Sequence, residues 1–350
     1  MDGARGRSGL FVARLKGLLL CAAVAGAISL TAGACGGGQQ SQSQDGDSQS
    51  GQSAQGQGGQ QGMTSRESGG QRTAAAPDWE AVGQAIGKEG ELTDEGVYRV
   101  EFPRTDLDVR SEGVKIEPSL SLGSYAAFVP MENGETMVMG DLVLAEEELN
   151  PVISSLQEGG LQQTAIHKHL LEQSPPIWWQ HYEGTGDPVE LASAINEALT
   201  RTGTPMETSS SEPAPLQGLD TDRLDEIIGH EGENTGTTYN FSIPRAEPVT
   251  AGGAEIPASA GVVTVMNFQP TGGGEAAING DFVMTADEVD PVTEALRENG
   301  IEVMSLHNHM LDEEPRLFYM HFWAEDEAEK LARGLGEALE QTNSAAPDTG

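Results

Sequence analysis

The sequence predicts an α+β fold in two tandem homologous modules, each a mainly antiparallel sheet with helices packed on one face. Three observations carry that expectation. The chain repeats itself once: "GDLVLAEEELNPVISSLQEGG" from Gly140 is answered by "GDFVMTADEVDPVTEALRENG" from Gly280. Of the 42 positions from Gly140 to His181, 14 are identical at an offset of 140. Around the histidines the hydrophobic pattern runs strand, helix, strand, strand, helix, an order that suits an antiparallel or mixed sheet covered on one side. Finally, "RTGTPMETSSSEPAPLQ", residues 201–217, has linker composition and divides the copies. Module 1 is expected over 77–200 and module 2 over 218–342, an ordinary size for independent cores.

Each module opens with a helix. Trp79, Val82 and Ile86 recur at helical spacing after Asp78, and Leu224, Ile227 and Ile228 correspond in the second copy. Strands follow through "VYRVEFP", "YAAFVP" and "TMVMGDLVL". Asn150 and Asp290 read as N-caps, with Pro151 and Pro291 at the first helical position. Two strands then carry the histidines. Leu191, Ile195 and Leu199, matched by Leu331, Leu335 and Leu339, mark the closing helix.

The N-terminus belongs to targeting rather than to the fold. Arg5, Arg7, Arg14 and Lys16 precede an uncharged apolar run from Gly17 to Ala34, the pattern of a secretory signal, so residues 1–34 are expected to be a signal peptide. An uncleaved anchor is the other reading of such a run. "LTAGAC" places small residues directly before Cys35 and resembles a bacterial lipobox, with Ala32 where Leu is commonest. That resemblance implies cleavage before Cys35 and lipidation of Cys35. The other cysteine, Cys21, lies within the signal, so the modules contain no disulfide and no thiolate. Gly36 to Gly62 holds only Gly, Gln, Ser, Asp and one Ala. With nothing to bury, residues 35–76 are expected to form a disordered tether spanning roughly 35 Å. The expected address is extracytoplasmic, lipid-anchored to a bacterial cell membrane.

Beyond residue 34 the chain carries 54 acids against 15 bases, a net of about −39. That excludes nucleic acid and anionic headgroups as natural partners. Solubility and attraction of cations both accommodate the charge.

Six of the seven histidines fall in two matched constellations: His167, His169 and His181, then His307, His309 and His321. On a strand, His167 and His169 would share a face about 6.5–7 Å apart. Turn centres at Pro175 and Pro315 would set His169 opposite His181 and His309 opposite His321. Three imidazoles would then project from one face in each copy, compact enough for a divalent metal such as zinc with Zn–N bonds of about 2.0–2.1 Å. Leu306, Met310, Phe318, Met320 and Phe322 read as the core face of the second hairpin. Leu311, Leu317 and Tyr319 would border its histidines, as Leu171, Ile177 and Trp179 would in the first, which suits a partly covered pocket. Histidines on half-buried strands also serve as simple hydrogen-bonding core residues, and a metal-free small-ligand pocket is a third reading; all three stay open. Asp141 and Asp281 are expected to face solvent, with hydrogen bonding to a ligating histidine as the alternative. Strand parity directs Glu172 and Asp312 away from the histidines. His230 aligns with Lys88 and is expected at the surface. No Ser/His/Asp order, Cys nucleophile, phosphate loop or closed zinc motif is present, so no catalytic residue is assigned and enzyme activity stays undecided, with a non-catalytic structural or ligand-binding role as the alternative.

"GVYRVEFPR", "GDLVLAEEELNPV" and "AIHKHLL", with their second-copy counterparts, resemble the LppY/LpqO family of actinobacterial envelope lipoproteins, a domain of unknown function. The resemblance spans nearly all of Trp79 to Leu339. It implies an exported, lipid-anchored bacterial protein and supplies no activity. The family pattern has His-Asn-His, kept at His307 to His309, whereas Lys168 replaces the Asn in copy one. Copy one keeps "PRTDLDV", while Ala246, Glu247 and Pro248 break it in copy two.

Overall fold

Asp78 accepts a hydrogen bond from the Ala81 amide and Gly87 closes the same helix at φ 83°, so the first element is capped at both ends by its own sequence. The computed structural model describes residues 76–207 and 216–347. The expected signal peptide, Cys35, nearly all of the tether and residues 208–215 of the linker lie outside the described residues. Among those described, no helix is long and apolar enough to cross a membrane.

Module 1 runs α1 (Trp79–Ile86), β1 (Glu91–Leu92), β2 (Tyr98–Pro103), β3 (Arg110–Ser111), β4 (Val114–Lys115), α2 (Pro118–Ser121), β5 (Gly123–Pro130), β6 (Thr136–Ala145), α3 (Leu149–Glu158), β7 (Gln162–His167), β8 (Ile177–Gly186) and α4 (Pro188–Leu199). Module 2 runs α5 (Thr221–Ile228), β9 (Glu233–Asn234), β10 (Tyr239–Pro244), β11 (Thr250–Ala251), β12 (Ala254–Glu255), a 3-10 turn (Ala258–Ala260), β13 (Val263–Gly272), β14 (Glu275–Met284), α6 (Val289–Glu298), β15 (Glu302–His307), β16 (Phe318–Glu327) and α7 (Ala328–Leu339). Strand order is β1-β2-β5-β6-β8-β7 in one sheet and β9-β10-β13-β14-β16-β15 in the other. The pairings within both are antiparallel. The two modules have the same fold.

One face of each sheet packs on its helices. Val82, Ile86, Val152, Leu156, Leu191 and Ile195 meet Val100, Phe102, Val138 and Leu142 in module 1. In module 2, Leu224, Ile228, Val292, Leu296, Leu331 and Leu335 meet Phe241, Phe268, Phe282 and Phe322. The expected caps Asn150 and Asp290 sit inside the first turn instead; the N-caps are Glu148 and Glu288. Proline fits there because first-turn amides have no intrahelical partner.

The second face of each sheet is covered by the other module. Met137, Met139 and Val129 pack with Val249, Ile256, Val283 and Leu317 in one apolar cluster. Val109, Ile116, Leu120, Val143 and Trp179 pack with Ala277 and Trp323 in another. Burial on both faces explains why "TMVMGDLVL" is apolar almost without alternation: β6 is buried along nearly its whole length. Polar contacts are reciprocal too. Thr93 meets Ser259, and Ser119 meets Thr237. The modules thus face each other like the halves of an isologous dimer. The expected core residue Leu306 is 50% exposed, on an edge strand, and Met310 joins the layer between modules.

The repeated Pro-Arg has a structural task. Arg104 is buried and donates to the Val143 carbonyl, Asp106 and Glu148. Arg245 makes the same contacts with the Val283 carbonyl, Glu247 and Glu288. Glu247 takes the place of Asp106, so the altered second-copy pattern keeps the carboxylate its arginine needs.

Candidate metal centre

His167 ends β7 and His181 lies on β8, while His307 ends β15 and His321 lies on β16. His181 pairs with Ala165 and His167 with Trp179, giving a register different from one centred on Pro175. In module 2, His321 pairs with Ser305 and His307 with Tyr319. Both β7 and β15 carry an irregularity, between Gln163 and Ala165 and between Val303 and Ser305. His169 and His309 fall in the loops beyond the strands, so the expectation of a straight two-residue strand spacing is corrected. The wide hairpin loops, rather than tight turns at the prolines, cause the shift.

All six histidines meet in the layer between the modules. His167 lies 4.8 Å from His169 and 5.0 Å from His181, ring centroid to centroid. His307 lies 5.1 Å from His309 and 4.9 Å from His321. Yet among imidazoles each stacks most closely on one from the other module: His167 on His307 at 3.7 Å, His169 on His321 at 3.6 Å, His181 on His309 at 3.9 Å. Sequence reading expected one cluster per copy; the structure makes one cluster from both.

Ring nitrogens point at one another. His169 Nε2 is 2.9 Å from His167 Nε2, which is 3.2 Å from His321 Nε2. The Gly280 carbonyl accepts from His321 Nδ1 at 2.8 Å, leaving Nε2 as a lone pair aimed inward. The Gly140 carbonyl bonds His181 likewise. These glycines are needed for closeness, since a Cβ at Gly140 would strike the Tyr125 carbonyl and one at Gly280 the Val265 carbonyl. His181 Nε2, His309 Nε2, His167 Nδ1 and both nitrogens of His307 are buried without a hydrogen-bond partner. Buried polar atoms are ordinarily satisfied, so this concentration marks a place built to receive something.

Burial, reinforced by neighbouring imidazoles, holds His167, His169, His181 and His307 well below the usual histidine range. Burial brings His321 down to about 4. These rings are therefore neutral near pH 7, with lone pairs available for a cation.

Asp141 and Asp281 stand beside them. Asp141 Oδ2 is 3.7 Å from His169 Nε2 and 3.8 Å from His181 Nε2; Asp281 Oδ2 is 3.5 Å from His309 Nε2. The expectation that they face solvent is corrected: both are buried, because the partner module covers their strand face. Burial, then the charge of Asp281, pushes Asp141 up to about 8. The signal was the "GD" doublet, which sets a carboxylate directly before an apolar run in a strand of each copy. Trp179 stacks on His169 at 4.3 Å and Tyr319 on His309 at 3.3 Å. Leu317 and Ile177 are buried nearby, whereas Leu311 is 47% exposed. Glu172 and Asp312 are exposed, on the loops beyond the strands where strand parity does not apply, and His230 is half-buried beyond α5, at a surface hollow beside α7.

Each histidine loop is held by the opposite module. Asn279 Nδ2 donates to the His169 carbonyl at 2.7 Å, and Thr164 Oγ1 to the His309 carbonyl at 2.6 Å. Asn308 donates to the carbonyls of Thr164 and Met310, while Lys168 in its place lies over the Trp178 ring. Asn308 had a signal in the His-Asn-His pattern, but none separated Asn279 and Thr164 from ordinary polar strand residues.

Fold and cluster together define a class: a tandem α+β protein whose two modules enclose a shared set of histidines and carboxylates. The chain belongs to the family described as Domain of Unknown Function (DUF1259), which matches it twice, at residues 80–201 and 222–341. A search of curated proteins finds no match. Among solved structures, the trimeric bacterial microcompartment shell protein PduB aligns at 11% identity over 74% of this chain and 97% of its own, with a TM-score of 0.19. EtuB from Clostridium kluyveri aligns at 8% identity over 72% of this chain and 88% of its own, with a TM-score of 0.17. At such scores neither bears on fold or function.

Proposed function

We propose that this chain is a lipid-anchored, extracytoplasmic protein of a bacterial envelope that binds a divalent transition metal, zinc foremost, between its two modules. The inward convergence of His167, His307 and His321, whose ring nitrogens lie within 4.8 Å of one another with His167 and His321 Nε2 3.2 Å apart, carries the metal assignment. Ligand nitrogens on a tetrahedral zinc ion with bonds of about 2.0–2.1 Å stand roughly 3.3 Å apart, close to the separations seen. A proton can relieve one such contact but not several lone pairs at once, whereas a cation relieves them together. Imidazole donors suit Zn, Cu, Fe and Ni. An acidic mature chain also raises the local cation concentration.

The address rests on the basic-then-apolar start, the small residues before Cys35 and the uncharged tether. It agrees with assignment to the LppY/LpqO family, which we place with this proposal. The membrane is then met through lipid on Cys35, and nucleic acid is no partner.

Metal content of tag-free protein, purified without chelators, tests the first part, followed by calorimetric zinc titration of the chelator-treated chain. Absence of both bound metal and titration heat would reduce the cluster to a hydrogen-bonded spacer or a pocket for another small ligand. For the address, mass spectrometry should find acylated Cys35 in the membrane fraction, and Cys35→Ala should abolish the modification. An unmodified Cys35 in membrane-bound wild type would overturn it.

A further inference from the structure

We infer that the cluster is a two-ion centre, one ion at the His167–His321 end and one at the His181–His309 end, each taking ligands from both modules. This rests on the metal-binding reading and adds stoichiometry and dependence on both modules.

Six imidazoles could in principle surround a single octahedral ion, which would require all six donors to lie close together. They do not form one such set. Ring nitrogens of His167, His307 and His321 lie within 4.8 Å of one another, and so do those of His181, His307 and His309. The two groups share only His307, whose ring nitrogens both lack partners. His169 Nε2, 2.9 Å from His167 Nε2, adds a donor at the first end. Each group is anchored by one strand histidine fixed through its other nitrogen, His321 by Gly280 and His181 by Gly140. Two equivalent anchors facing opposite ends are what two ions need.

The carboxylates point the same way. Asp141 reaches toward both ends, 3.7 Å from His169 and 3.8 Å from His181, and Asp281 stands 3.5 Å from His309. Among the described residues, no Lys or Arg pairs with either carboxylate; the groups beside them are these histidines. An oxygen donor therefore stands beside the imidazoles of each group, so two ions can each draw a carboxylate as well as histidines from the same set. Neither group draws on one module alone, so the centre exists only in the docked pair.

The full mature chain, stripped of metal, should take up two equivalents of Zn(II). Loaded with Cu(II), it should show spin coupling between neighbouring ions by electron paramagnetic resonance, including a half-field transition. His309→Gln should retain one equivalent and lose the coupling, as should His167→Gln. One equivalent in the wild type, or two without coupling, would overturn the two-ion centre while leaving metal binding intact. Zero equivalents would remove the metal reading itself. The wild-type stoichiometry decides even where a variant fails to fold.

Discussion

The side-chain amide of Asn279, on the central strand of module 2, donates to the backbone carbonyl of His169 in module 1 and also to the Phe322 carbonyl. A loop carrying one module's histidine is thus positioned by the other. Asn279→Ala should cost about 1–3 kcal/mol, because buried carbonyls are left unpaired. The denaturant midpoint should fall with an unchanged slope, and metal affinity should weaken. A variant with wild-type midpoint and affinity would show that the clamp is incidental.

Gly280 allows its strand to approach the neighbouring Val265 carbonyl and presents its own carbonyl to His321. Gly280→Ala forces backbone to move rather than a flexible side-chain tip. A loss of about 1–3 kcal/mol is expected, as for other overpacked cores. Gly140→Ala, against the Tyr125 carbonyl, should act alike. Thermal unfolding of both variants would show this, and an unchanged melting temperature would contradict it.

Glu183 of module 1 is pushed up to about 7 by burial, then by the charges of Asp312 and Glu313 from module 2. A carboxyl with a raised folded-state pKa contributes stability that is complete below its unfolded value, near 4.3. That contribution is lost as pH rises to about 7. Glu183→Gln should therefore match wild type near pH 4 and exceed it near pH 8. Equal stability at both, measured by urea titration, would exclude the linkage.

Metal should stabilise the folded chain by mass action. At free zinc of a hundred times its dissociation constant, the gain is about 2.7 kcal/mol per ion. The melting temperature should rise with zinc concentration and return after chelation. Because ligands come from both modules, a single cooperative transition should shift, not one of two.

The repeat, the helix faces and the alternating strands were legible because local periodicity records them. Val82 with Ile86, or Leu191 with Ile195, face inward by spacing alone. The histidines were legible as candidates because both copies keep them at matched positions. Their true neighbours were not, since stacking of His169 on His321 depends on how two modules dock, which neither module's hydrophobic pattern encodes. The same docking buries Asp141 and Asp281, which in an isolated sheet would face water. Hairpin register also escaped, as the irregularity before Ala165 and the loop beyond His167 are invisible to counting from a proline.

The reciprocal facing of the modules carries a consequence for ancestry. A single-copy forebear could build the whole cluster by self-association, His167 meeting its counterpart His307 across a twofold axis while the other four rings pair crosswise, His169 with His321 and His181 with His309. Joining two copies in one polypeptide removes the concentration dependence of that encounter and frees each half to mutate alone. Lys168 against Asn308, Trp179 against Tyr319 and Gln180 against Met320 are differences that a symmetric homodimer could never have acquired on one side only.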